Sequence, residues 1–349
     1  MVKQMLTPRQ LTILKAIVEE FIDTAEPIGS KVLMKKYNLP YSSATIRNEM
    51  AILEEIGYLE KTHTSSGRIP STEGYRFYVG YLLETREKEP LKNQLAPLFT
   101  TKGQSLNEII RESCEMLSEL TQLTSVVLGP NAKNDYLQRI TIIPLSKQSA
   151  SVIIVTDKGH VQNKTFRIDE HISMEDLEAC VNVMNDYLIG TAIDCVQERL
   201  EYEVKPILEK RIIEHEVIFN AFLEAFVKFA SSDVYFSGKE NMLYQPEFND
   251  VNKIRRLVSA FENSQMWHAL SPIEESEGIT VKIGADVPIA SINTDVSVIS
   301  ASFKTGAESK GMISVIGPTR MPYEKVISLV EYISKNIEAI LIIEEDDET

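Results

Sequence analysis

Residues 38–77 constrain the fold more than any other stretch of this 349-residue chain. Asn38-Leu39-Pro40 reads as a turn, because Pro40 lacks an N–H and biases Leu39 away from helix. Ser42 and Ser43 each offer a hydroxyl that can cap a helix N-terminus, and Gly57 suits the far end, where a left-handed residue commonly closes a helix. Between them Ile46, Met50 and Leu53 fall within about 60° of one another at helical spacing and predict a buried face. Ala44, Asn48, Ala51 and Glu55 then point outward, with Thr45, Arg47 and Ile52 at the margins. The first two turns of that face are small or polar, and the carboxylates Glu49, Glu54 and Glu55 come later. A helix entering the DNA major groove by its N-terminal end needs this layout. Taken alone, the helix fits an ordinary polar surface equally well.

The residues that follow favour the nucleic-acid reading. Tyr58–His63 has the composition of a strand, Thr64-Ser65-Ser66-Gly67 of a turn, and Arg68-Ile69-Pro70-Ser71 of a return strand. Helix, strand, hydroxylated tip and return strand are the reading half of a winged helix-turn-helix. In that frame Ser42, Ser43 and Thr45 are expected to anchor phosphates. Arg47 and Asn48 are expected to read bases, asparagine being able to pair with adenine N6 and N7. Lys61, His63, Ser65, Ser66 and Arg68 are expected to hold the flanking backbone or minor groove.

Upstream, Thr7-Pro8-Arg9-Gln10 forms a capping box with proline at the first helical position, and Leu11, Leu14, Ile17, Val18 and Phe21 make the core stripe of that helix. Ser30 is expected to cap a short helix, Lys31–Lys36, whose apolar members are Ile28, Val32 and Leu33 and whose Lys31 and Lys35 read as solvated. Thr72 is expected to cap a further helix whose Tyr75, Phe77, Tyr78, Tyr81 and Leu82 pack it against its neighbours, and REKEPLK at 86–92 reads as a linker.

The net charge of −15 at first argues against a DNA binder. Residues 1–90, however, hold 12 Lys and Arg against 12 Asp and Glu, so the whole excess of acid lies beyond them. It should keep the rest of the molecule off phosphates. No apolar run is long enough to span a bilayer and no signal-peptide layout is present. Cys114, Cys180 and Cys195 are unpaired by pattern, which suits free thiols in a cytoplasm. The five histidines lack metal-ligand spacing, and neither a phosphate loop nor a GxSxG elbow occurs, so no metal, cofactor or catalytic residue is expected.

Beyond the linker the pattern is α+β. A helix at 106–123 precedes strand-like runs at 126–128, 137–145, 150–156 and 160–166, and Ser173 caps a helix ending near Leu188. Asp157-Lys158-Gly159 reads as a hairpin turn. Strands at 279–283, 296–303 and 311–316 and a helix at 323–339 resume the pattern, and EEDDET ends the chain as an acidic tail. Arg320, after Gly317-Pro318, reads as an ordinary loop arginine, yet it is the polar residue best placed there for a special role. In the interruption, residues 207–229 read as a helix apolar on more than one face.

Several stretches resemble the HrcA family of heat-inducible transcription repressors: GSKVL at 29–33, SSATIRNEMAILEEIGYLEKTHTSSGRIPS at 42–71, GYRFYV at 74–79, TDKGHVQN, YQPEFND and MISVIGPTRMPYEKVI. Thr62, Ser66 and Ile52 depart from residues common in that family. The resemblance implies four segments: a winged head at 1–88, a GAF-like domain in two parts at 89–188 and 274–349, and an inserted, mainly helical dimerisation domain at 189–273. Ile213, Val217, Phe219, Phe222 and Phe226 are its expected contacts. A core helix of one larger domain is the alternative for that segment. The resemblance further implies a homodimer on an inverted-repeat (CIRCE) operator of double-stranded DNA, with the GroEL chaperonin keeping the repressor active. A metabolite-responsive regulator, with a small effector in the GAF-like domain, is the competing reading.

Overall fold

A computed structural model describes residues 6–62, 67–85, 106–129, 135–168, 173–211, 219–220, 222–223, 234–262, 267, 278–289, 292, 295–304 and 310–347. The chain divides into two compact units. One holds Met1–Leu128, Val234–Gly306 and Gly311–Thr349, the other Gly129–Asp233 with Ala307–Lys310.

The first unit opens with α1 (Pro8–Thr24), α2 (Ser30–Lys36) and α3 (Ser43–Glu55), then β1 (Leu59–Lys61), β2 (Arg68–Pro70) and α4 (Thr72–Thr85). The box at Thr7 forms in full: its hydroxyl accepts from Gln10 N, and the Gln10 side chain accepts from Thr7 N. α1 ends at Ala25, which turns left-handed at φ 55°. Two caps differ from the sequence reading. Gly29, not Ser30, precedes α2, and Ser30 is the first helical residue, its hydroxyl bonded to Ser43 Oγ at 2.9 Å. Ser71 rather than Thr72 serves α4, accepting from Gly74 N at 3.0 Å and donating to the Gly57 carbonyl at 2.6 Å. Of the apolar members of α2, Val32 is 45% exposed.

The unit continues with α5 (Leu106–Thr121) and β3 (Thr124–Leu128), and resumes at β7 (Val234–Ser237) and α9 (Lys239–Leu243). With β8 (Ile279–Ile283), β9 (Val296–Lys304) and β10 (Lys310–Pro318) these strands form a five-stranded sheet ordered β7-β3-β10-β9-β8. β3 runs antiparallel to both β10 and β7, and β8 antiparallel to β9. The alternation of β3 divides its side chains between two cores. Val127 joins Ile299, Phe303, Ile313 and Val315 against α5 and α11 (Tyr323–Asp347). Val126 and Leu128 join Met312, Phe248, Leu257 of α10 (Val251–Glu262) and the buried Trp267. The core of α1–α4 is continuous with the first of these, so the N-terminal helices are not a separate bead on a linker. Residues 86–92, the expected linker, lie outside the described residues.

The second unit carries β4 (Leu137–Ser146), β5 (Ser149–Thr156) and β6 (Val161–Arg167), an antiparallel meander, followed by α6 (Met174–Leu188) and α7 (Ile193–Arg199). A π-helical turn at Leu200–Val204 leads into α8 (Lys205–Arg211). Ser173 caps α6 in a box with Asp176. Gly159, at φ 81°, turns the expected hairpin between β5 and β6. Ile140, Val152 and Ile154 pack on Leu177, Cys180 and Met184.

This division corrects the expected boundaries. The resemblance implies one sheet domain from 89 to 188 and an insertion from 189. Instead, β4–β6 pair among themselves, and of the strands before 188 it is β3 that joins the five-stranded sheet. Period-two alternation marks a strand but not its partner, so the pattern alone could not separate β4–β6 from the five-stranded sheet. Phe219 and Phe222, expected at a dimer contact, are buried in the second unit's own core and present no surface to a partner. Ile213, Val217 and Phe226 lie outside the described residues.

The thiols yield a simple prediction. Burial pushes Cys114 up to about 11 and Cys180 up to about 12, whereas Cys195 is exposed, its own thiol raised by Asp194. A chromogenic disulfide reagent should therefore titrate one thiol in the native protein and all three after denaturation. Fast reaction of a second native thiol would contradict the burial of Cys114 or Cys180.

Candidate nucleic-acid interface

α3 presents the face predicted for it. Ile46, Met50 and Leu53 are buried, while Ala44, Arg47, Asn48, Ala51, Ile52 and Glu55 are exposed. Ser42 caps the helix by accepting from Thr45 N at 3.1 Å, and its hydroxyl lies 2.9 Å from Thr45 Oγ1. Its N-terminal turn carries no acidic residue, so its unsatisfied backbone N–H groups and positive dipole end are not masked by a carboxylate. Ser43, half-buried, pairs its hydroxyl with Ser30 Oγ at 2.9 Å. Among the described residues neither Arg47 nor Asn48 has a side-chain partner, so both are available to an incoming ligand.

Two of the three later carboxylates of α3, Glu49 and Glu54, are occupied, while Glu55 is exposed. Glu49 accepts from Arg9 Nη1 at 3.2 Å and from Gln10 Nε2 at 3.1 Å, tying α1 to α3. Arg9 also lies over the Tyr41 ring at 5.1 Å. Glu54 receives Arg68 Nε and Nη2, each at 2.6 Å, on its Oε2. Each ion pair cancels a charge that would repel phosphate on the flank of the helix.

Arg68 thus has a different place from the one expected. Its side chain is 16% exposed and braces β2 against α3 instead of reaching outward. The main chain of the same residue pairs with Ile28 through two 2.9 Å bonds, so the hairpin is anchored on the α1–α2 connection as well. Lys61 is exposed at the end of β1 and remains available. His63, Ser65 and Ser66, at the expected tip, lie outside the described residues. Sequence reasoning missed Arg9, Glu49 and Glu54 as a charge-cancelling set, because pairs some 14 and 40 residues apart leave no local pattern. On α2, Lys36 is bound to the buried Glu20 at 2.6 Å, and Tyr37 donates to the same carboxylate at 3.2 Å.

Among the described residues no group of three or more His, Cys, Asp or Glu is arranged to hold a metal ion, and no helix is long and apolar enough to cross a membrane.

The model of the HrcA protein C-terminal domain matches residues 107–327. The chain is 40% identical over 334 residues to the heat-inducible transcription repressor HrcA of Shouchella clausii, covering 95% of this chain and 97% of that one. The chain belongs to the HrcA family. A second HrcA relative, from Bacillus pumilus, is 41% identical over 341 residues, with 95% and 97% coverage. A crystal structure of a hypothetical protein at 2.2 Å matches with a TM-score of 0.68 at 23% identity, covering 97% of this chain and 99% of that one, and supports the fold. The relatives are named as heat-inducible transcription repressors, so the family is one of regulators of transcription.

Proposed function

We propose that α1–α4 and the β1–β2 hairpin form a winged helix-turn-helix with α3 as its recognition helix, and that two such heads in a homodimer bind an inverted-repeat operator. The observation that carries this reading is on α3: a capped, acid-free N-terminal turn, with unpartnered Arg47 and Asn48 beside it and Glu49 and Glu54 neutralised behind. Ser42 and Thr45 would meet phosphate, Arg47 and Asn48 base edges, and Lys61, His63, Ser65 and Ser66 the flanking backbone. Arg68 would hold the wing in place. The five-stranded sheet, with apolar cores on both faces, is compatible with a GAF-like body.

Family membership supports the rest of the reading: a repressor of chaperone genes acting at the CIRCE repeat in the cytoplasm, its active form favoured by GroEL. A titration at fixed salt with and without GroEL, on the CIRCE repeat and on a scrambled duplex, tests it. Operator-selective binding that strengthens with the chaperonin supports both target and switch. Equal weak binding to the two duplexes would overturn the target. Effector-dependent binding without the chaperonin would favour a small-molecule switch.

Asn48→Ala is expected to weaken operator binding by roughly 1–3 kcal/mol while leaving the unfolding midpoint in place, because an exposed, unpartnered side chain contributes little to the fold. Unchanged affinity and base preference would remove Asn48 from the readout.

A further inference from the structure

Arg320 follows β10 in the turn that leads to α11, and its guanidinium reaches three groups. Nε donates to Glu247 Oε1 at 2.6 Å, Nη2 to Gln245 Oε1 at 3.2 Å, and Nη1 to the carbonyl of Ile22 at 3.2 Å. Ile22 lies in the last turn of α1, a turn with no basic residue of its own and with carbonyls that no later helical N–H can satisfy. A cation there is favoured by the helix dipole as well as by the hydrogen bond. The terminal cation of α1 is therefore supplied by a residue 298 positions away, from the sheet body. Its side chain is 15% exposed, so the contact is largely shielded from solvent.

The same seam carries other polar links between the helical head and the body. Arg76 of α4 donates from Nε to Asp286 Oδ2 at 2.8 Å and from Nη2 to the Ile283 carbonyl at 3.2 Å. Tyr75 of α4 packs its ring 5.8 Å from that of Tyr323, at the start of α11. Tyr75 Oη and Glu247 Oε2 are both buried without a hydrogen-bond partner. Burying an unpaired phenol and an unpaired carboxylate oxygen disfavours the closed seam, so the contacts that Arg320 makes act against a standing cost.

We infer that Arg320 sets the angle at which the head is carried on the sheet body, and with it the spacing at which two heads of a dimer can grip both halves of an inverted repeat. This rests on the operator-binding reading above. Arg320 is a positioning residue: it touches α1 and not the α3 face that would meet DNA. Linked heads gain affinity from one another only when their geometry allows both to engage, so loss of the angle should show on paired sites and spare single ones.

The test uses the full chain as wild type, Arg320→Ala, Arg320→Lys and Glu247→Gln. Each is titrated at one salt concentration on the inverted repeat, on a repeat with its spacer lengthened by half a helical turn, and on a duplex with one half-site scrambled. Arg320→Ala should bind the single half-site within about twofold of wild type, lose about tenfold or more on the intact repeat, and discriminate less between spacers. Glu247→Gln, which keeps the side-chain shape and removes the charge, should lose less in the same direction, and Arg320→Lys should restore part of the loss. Half-site and repeat affinities that fall together, or that both stay unchanged, would overturn the inference. Should Arg320→Ala fold poorly, the Glu247→Gln ratio of repeat to half-site decides. Wild-type protein that does not distinguish the repeat from a scrambled duplex would instead overturn the operator reading beneath it.

Discussion

Leu53→Ala is expected to lower the unfolding free energy by about 2–5 kcal/mol, the range for truncating a fully buried leucine. Leu53 is 0% exposed and lies on the inner face of α3 with Ile46 and Met50, in the apolar cluster that also holds Ile13, Leu14 and Ile17 of α1. Its carbonyl accepts from Tyr58 N at 2.8 Å, so the helix cannot slide to fill the gap without disturbing the entry to β1. The chain's single tryptophan, Trp267, reports the outcome from the far side of the five-stranded sheet. Because the head and one sheet face share a continuous core, the urea midpoint read by Trp267 fluorescence should fall together with the midpoint read by far-ultraviolet circular dichroism. A helical signal that melts early while the Trp267 transition stays in place would show that the head unfolds alone.

Gly74→Ala is the second large effect. A Cβ at Gly74 would lie 2.1 Å from the Tyr58 carbonyl oxygen and 3.2 Å from its carbon. Both are backbone atoms, and the same carbonyl already accepts from Ser71 N at 3.1 Å. Relief requires the start of α4 to move away from β1, which breaks the Ser71 contacts to Gly57 and Gly74. Overpacking of a well-packed site costs about 1–3 kcal/mol and more when main chain must shift, so a loss near or above about 3 kcal/mol is expected. Gly80→Ala on the same helix is the control, since a Cβ there meets nothing within 4 Å and alanine favours helix. Gly74→Ala no less stable than this control would show that the close approach of α4 to β1 is not a fixed feature of the fold. Under the proposed function, Gly74→Ala should also displace the wing and weaken operator binding beyond what unfolding explains.

The helical head was largely legible in the sequence because its determinants are local. The Thr7 box, the Ser42 cap, the Gly57 turn at φ 86° and the spacing of Ile46, Met50 and Leu53 all act within one or two helical turns. Caps that compete with an adjacent hydroxyl were harder to assign. Ser30 and Ser43 pair with one another, and Ser71 takes the place expected of Thr72, because a distant partner decides which hydroxyl turns inward. The same holds for Arg68, whose charge suggested phosphate and whose position beside Glu54 makes it a brace.

By itself, the sequence determined the helices and strands of the head and most of those around residues 106–188 and 279–339, which face of α3 is buried, and that the acid of the chain lies outside its first 90 residues. Helical period, strand alternation and end caps are short-range preferences, written in neighbouring side chains. Tertiary structure alone decided which strands pair, that Gly129–Asp233 forms its own unit, that Phe219 and Phe222 belong to an interior, and that Arg320 reaches the end of α1. These depend on groups far apart in the chain meeting in space, a coincidence set by the packing of the whole core and absent from any local pattern.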